Sequence, residues 1–103
     1  MSDRQIQGAM MKAMWSDDAC AYKKNADQID PEKRVELLTA AFGMMAPPGY
    51  SMDSSIQSGL TNSSKDVQHF AISNSGALFY ELNVKRGADG KMQVVDEKPT
   101  NCR

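Results

Sequence analysis

The last third of the chain alternates apolar and polar residues, and two short linkers ending in glycine punctuate the alternation. A period of two is the signature of a half-buried β-strand, because successive side chains point to opposite faces. Lys65–Ser73, Ala77–Lys85 and Lys91–Glu97 therefore read as three strands, joined through Asn74-Ser75-Gly76 and Ala88-Asp89-Gly90. Glycine in third place suits a three-residue hairpin loop, whose last residue takes positive φ. That loop length sets Ile72 opposite Leu78, Phe70 opposite Tyr80 and Gln68 opposite Leu82 on one face, then Val84 opposite Val94. A slip of one residue would turn the apolar set to the wrong side. Three strands are not stable bare, so the remainder of the chain has to cover one face.

The cover is helical. Ser2 and Gln5 form a capping-box pattern, and Ile6, Met10, Ala13 and Met14 recur at helical spacing beyond it, with Ala9 and Met11 widening the stripe. This first helix is expected to run toward Asp27, with a kink or restart allowed at Ser16-Asp17-Asp18. A second helix opens at Asp30-Pro31-Glu32, a capping acid followed by proline at the first helical position and an acid in the first turn. Val35, Leu38, Phe42 and Met45 form one stripe and Leu37, Ala41 and Met44 another, which predicts the central helix of the fold. Ala46-Pro47-Pro48-Gly49 ends it. Residues 46–64 are a low-charge connection in which Met52, Ile56 and Leu60, spaced by four, permit a further short helix.

The predicted class is α+β: two N-terminal helices, with a third permitted, packed on one face of a C-terminal three-stranded antiparallel meander. One domain spans 1–103, divided into a helical part (1–45), the connection (46–64) and the meander (65–98). A chain of 103 residues supports one core and not two.

Charge narrows the partners. Twelve basic residues are interleaved with thirteen acidic ones, for a net charge of −1. Nucleic acid demands a clustered positive surface, and no cluster is present. No stretch is apolar and long enough to span a membrane, and the Met1-Ser2-Asp3-Arg4-Gln5 start lacks the charge pattern of an export signal. A cytoplasmic location follows as the expectation, with Cys20 and Cys102 as free thiols and the Asn62-Ser63-Ser64 glycosylation pattern idle.

Several constellations invite a chemical reading. The chain holds eight methionines, six of them (Met10, Met11, Met14, Met44, Met45 and Met52) between residues 10 and 52. Flexible core filling is the ordinary role; an adaptable binding groove is the sharper one, and a Cu(I) site from Met10, Met11 and Met14 the least supported. The inferred register sets His69 beside Glu81 on the outer sheet face, with Glu97 across from Glu81. An imidazole beside carboxylates is an acid–base or partial metal constellation, although a solvated ion pair is the commoner meaning. Val67, Phe79 and Val95 project to the same outer face, where a solvated sheet would carry polar groups. Pro47-Pro48-Gly49-Tyr50 matches the proline-rich ligands of WW domains but reads equally as a helix stop and turn.

No zinc spacing, phosphate loop or nucleophile elbow is present, so no cofactor and no metal is expected. The reading is a small non-enzymatic protein-binding module, such as an inhibitor, immunity or adaptor protein of bacterial, phage or plasmid origin. Its partner is another protein, or a second copy in a homodimer. The expected contact surface is Val67, His69, Phe79, Glu81 and Val95 together with Pro47, Pro48 and Tyr50. The alternative is a small enzyme or metal-dependent protein working through His69 and Glu81.

Overall fold

A computed structural model describes residues 2–57, 67–87 and 89–103. The class is α+β. Among these residues three helices, α1 (Asp3–Trp15), α2 (Ala19–Ala26) and α3 (Pro31–Met45), precede four strands, β1 (Tyr50–Gln57), β2 (Val67–Asn74), β3 (Ala77–Arg86) and β4 (Met92–Pro99). The strands form one antiparallel sheet in the order β1-β2-β3-β4. Leu60 and the glycosylation pattern at Asn62 lie outside the described residues.

The helix starts follow the sequence closely. Ser2 Oγ accepts from the Gln5 amide while Gln5 Oε1 accepts from the Ser2 amide, the reciprocal bonds of a capping box. Asp30 caps α3 by accepting from the Glu32 amide, with Pro31 at the first helical position. The expected first helix breaks into two. Asp17 takes φ 55°, a left-handed conformation that helices do not continue through, and Asp18 then caps α2 by accepting from the Ala21 amide.

The fourth strand is a correction, and it lies in the connection. Tyr50 and Met52 pack against the core while Ser51 and Asp53 are exposed, a period of two and not four that fades at the exposed Ser54 and Ser55. Met52 pairs with Ile72, adding β1 to the meander as an edge.

Register is the second correction. The β2–β3 loop has two residues, Ser75 (φ 50°) and Gly76 (φ 89°), which matches a primed hairpin turn. This pairs Ser73 with Leu78, an alignment that would carry Glu81 into the core if it continued. A bulge intervenes. Ile72 pairs with Tyr80, leaving Phe79 as the extra residue, and Phe70 then meets Leu82 and Gln68 meets Val84. The bulge restores the alternation, and Phe79 and Tyr80 are both fully buried. Phe79 is therefore a core residue, not part of an outer surface.

A second bulge lies in β4. Val84 pairs with Val94 as expected, but Asn83 pairs with Asp96, so Val95 is the extra residue. Every β4 residue beyond it changes side relative to the expected register. Glu97 moves from a place beside Glu81 to one opposite Leu82, on the inner face.

The core joins Ile6, Met10, Met11 and Met14 of α1, Tyr22 of α2 and Leu38 of α3 to Phe70, Ile72, Phe79, Tyr80, Leu82 and Val84 of the sheet. Tyr22 meets Tyr80 and Phe79 edge-on, with ring centroids 4.8 and 5.7 Å apart. Met10, Met11 and Met14 are core filler, and α1, not α3, is the most buried helix. α2 and α3 lie against β4.

The cysteines correct a third expectation. Cys20 and Cys102 form a disulfide, with Cα atoms 5.0 Å apart and a sequence separation of 82. It straps the segment after β4 onto the start of α2. The Ala19 amide donates to the Asn101 carbonyl at 2.8 Å, and the Thr100 amide to the bulged Phe79 carbonyl at 2.9 Å.

Candidate functional site

Beneath α3, Glu97 collects the polar groups of the inner face. It accepts from the Arg34 guanidinium and from the Tyr80 hydroxyl. Arg34 also donates to the Ile29 carbonyl at 2.7 Å and lies 3.9 Å from Asp27. The side chains are nearly sealed, 10% exposed for Arg34 and 5% for Glu97. Burial, followed by the bond to Glu97 and its charge, pushes the Tyr80 hydroxyl far above the ordinary phenol range. Burial and the same carboxylate also raise Tyr22, whose hydroxyl has no hydrogen-bond partner among the described residues. This cluster pins the α2–α3 turn to β4; Glu97 is bonded to Arg34 and Tyr80, while the buried Arg34 Nε, like the Tyr22 hydroxyl, has no partner among the described residues.

On the outer face, His69 Nε2 lies 2.9 Å from Glu81 Oε2. The contact is diagonal, since His69 stands opposite Asn83 and Glu81 opposite Ala71. Imidazole and carboxylate are about one quarter exposed, at 24% and 27%. Glu97 is absent from this face, so the constellation is a pair and not a triad. Among the described residues, no group of three or more His, Cys, Asp or Glu side chains is arranged to hold a metal ion. Val67 is half-buried beside this pair and Val95 projects from its bulge into solvent, while Phe79 is inside.

The proline segment is built into the fold. Pro47 is buried and Pro48 exposed. Gly49 takes φ 90° and its carbonyl accepts from the Ser75 amide at 2.8 Å; a Cβ there would sit 3.1 Å from Ser75 Oγ. Tyr50 donates to the Met14 carbonyl at 2.9 Å and to Asp17 Oδ1 at 2.6 Å. Asn101 donates to the other Asp17 oxygen at 2.6 Å. These donors, Tyr50 first, lower the Asp17 pKa, and Tyr50 is raised by burial and by the carboxylate it serves. The knot joins the α1–α2 turn to β1 and to the C-terminal strap. It holds Tyr50 inward, so of the proline segment's expected contact residues only Pro48 faces solvent.

The largest exposed apolar side chains among the described residues gather elsewhere. Trp15 is 62% exposed, Met44 85% and Met45 40%, all at the C-terminal ends of α1 and α3. The Trp15 indole N–H donates to the Met45 carbonyl at 3.0 Å, which fixes the ring between the two helix ends. Trp15 falls nine residues after Ile6, so at about 100° per residue it points away from Ile6, and it stands about 40° beyond Met11, at the edge of the buried stripe. A large aromatic just past the edge of an apolar stripe is the sequence signal for this exposed ring. Between α1 and α2 an open groove of about 280 Å³ runs over Ala9, Ala13 and Ala21. Its rim groups Ser16 and Asn25 are bonded to backbone carbonyls of their own helices.

No known protein family matches this chain, and no curated protein or solved structure shows significant similarity to it.

Proposed function

We propose that the chain is a small non-enzymatic protein-binding module, of the inhibitor, immunity or adaptor kind, that docks its partner on the adjoining ends of α1 and α3. The observation that carries this reading is Trp15. A tryptophan held by its indole N–H with most of the ring in solvent is a preordered aromatic anchor, the residue type most enriched among binding hot spots. Met44 and Met45 beside it supply a deformable apolar surround. The outer sheet face expected from sequence is the weaker candidate, since Phe79 is in the core and the His69–Glu81 pair is a satisfied contact.

The test is affinity capture from an extract of the native host with wild type and Trp15→Ala. Loss of a hot-spot tryptophan costs at least about 2 kcal/mol, roughly thirty-fold in affinity. The specific partner should therefore disappear from the Trp15→Ala eluate while the circular dichroism spectrum is unchanged. Equal capture by both proteins would remove the helix ends from the interface. The acid–base alternative has one supporting observation, the 2.9 Å contact of His69 with Glu81. A hydrolytic activity abolished by His69→Gln in folded protein would favour it.

The disulfide bears on location. Such bonds persist in oxidising compartments, so Cys20–Cys102 supports a site of action outside the reducing cytoplasm, against the expectation from sequence.

A further inference from the structure

The C-terminal end of α3 is built so that its own chain leaves carbonyl groups unpaired. The last four carbonyls of any helix lack intrahelical donors. In α3 the Phe42 carbonyl accepts from the Ala46 amide at 3.2 Å, and Met45 accepts from the Trp15 indole at 3.0 Å. The positions that would continue the ladder to Gly43 and Met44 are residues 47 and 48, both proline, and proline has no N–H to give. Among the described residues, no hydrogen bond reaches either carbonyl.

Charge points the same way. Aligned peptide dipoles leave the C-terminal end of a helix negative, and cations stabilise it. The last turn of α3 carries no basic residue, whereas α1 has Lys12 in its own last turn. Gly43 and Met44 are exposed, so the negative end opens to solvent beside the Trp15 ring. Of the aromatic side chains, tryptophan offers the strongest face to a cation.

Resting on the docking reading above, we propose that this surface recognises a cationic side chain of the partner protein, an arginine. Its planar guanidinium stacks on Trp15 and donates to the Gly43 and Met44 carbonyls, while its aliphatic stem lies on the Met44 thioether. Arginine suits the site better than lysine because one flat group both stacks on an indole and offers several N–H donors in a fixed fork. An uncharged apolar contact would leave both carbonyls desolvated and unpaired.

Trp15 is the single tryptophan of the chain, so its indole N–H gives one unambiguous NMR resonance. The full-length, disulfide-bonded protein is titrated with acetyl-Leu-Arg-Leu-amide and with the same peptide carrying citrulline, lysine or glutamate in the middle position. The expected result is a saturable shift of the indole signal, with the arginine peptide bound about two- to five-fold more tightly than its neutral citrulline isostere, the ratio that an exposed cation–π contact supplies. Added salt should erode that preference and leave citrulline binding unchanged. Equal binding of arginine and citrulline peptides, a preference for glutamate, or no shift with any peptide would each overturn the proposal. If host-extract capture still depends on Trp15 in any of those cases, the docking reading stands and only the cationic contact falls. If capture is indifferent to Trp15, the docking reading itself has failed.

Discussion

Glu81 and Glu97 sit on neighbouring strands of one sheet, and each meets a nitrogen base, yet the two work under opposite conditions. Glu81 faces outward and shares a partly hydrated contact with His69. Glu97 faces inward, sealed under α3 with Arg34 and Tyr80. Water screens the outer pair, so it adds little to stability and stays available to solutes. The inner cluster is in a low-dielectric setting where the paired groups hold firmly and breaking a pair is costly. A single residue, the bulged Val95, decides which situation Glu97 occupies.

High pH should break the inner side completely. Tyr22, Tyr50 and Tyr80 are all the tyrosines of the chain, and all three have raised pKa values, with burial the first cause in each. A phenol raised in the folded state favours folding fully below the unfolded pKa, about 10, and loses that contribution as pH climbs from there toward the folded value. Alkaline titration should therefore show little phenolate absorbance until the fold is lost, and then a cooperative rise coincident with the loss of circular dichroism. A gradual phenolate signal from folded protein would show that the inner face admits solvent.

Glu97→Ala is the next largest perturbation. It leaves the Arg34 guanidinium buried without its carboxylate, a loss of about 3–5 kcal/mol for a broken buried pair. Urea unfolding measures it directly. Replacing Arg34 and Glu97 together by Met and Leu should recover much of that loss, because the penalty belongs to the stranded charge and not to a missing attraction. If the double variant is as unstable as Glu97→Ala, packing under α3 and not charge pairing is what the cluster provides.

The strap gives a smaller effect. Reducing Cys20–Cys102 opens a link between residues 82 apart, which costs about 2–4 kcal/mol in typical cases. The Ala19 amide, bonded to the Asn101 carbonyl, should be among the first to lose hydrogen-exchange protection, while the Leu82 and Phe70 amides keep theirs. Melts that superimpose with and without reductant would mean that the hydrogen bonds around Asp17 hold the C-terminal segment unaided.

Local chemistry was legible in the sequence and the irregularities were not. The Ser2–Gln5 box and the Asp30-Pro31-Glu32 start act within one helical turn, so their residues identify them directly. β1 was obscured because Met52 and Ile56 satisfy a helical spacing as readily as an alternating one, and only pairing with β2 decides between them. The bulges at Phe79 and Val95 have no local signature. Each resolves a mismatch between a turn and a face, and that is a property of two strands at once. Contact between His69 and Glu81 survived the wrong register because the true alignment shifts that pairing by two residues, which preserves the face and turns a direct neighbour into a diagonal one. Trp15 escaped notice for the opposite reason. A stripe is found by what recurs, and an exposed anchor is the residue that does not.

The outer pair should yield the smallest change. Glu81→Gln keeps the length of the side chain and its ability to hydrogen-bond to His69, and it removes only the charge. Both groups are partly hydrated, so the loss should lie between zero and about 1 kcal/mol, a shift of at most about 5 °C in a domain of this size. The single variant also alters hydration and the contacts of Glu81 with its other neighbours, so the pair itself is isolated by a double-mutant cycle with His69→Gln. A coupling energy below about 1 kcal/mol, shrinking further in added salt, is the expected outcome for a screened contact. A coupling that approaches the Glu97 loss and ignores salt would mean that the outer face is dehydrated in the folded protein. Water would then no longer separate the two faces of this sheet, and His69 and Glu81 would take precedence over Trp15 as the place to look for a partner.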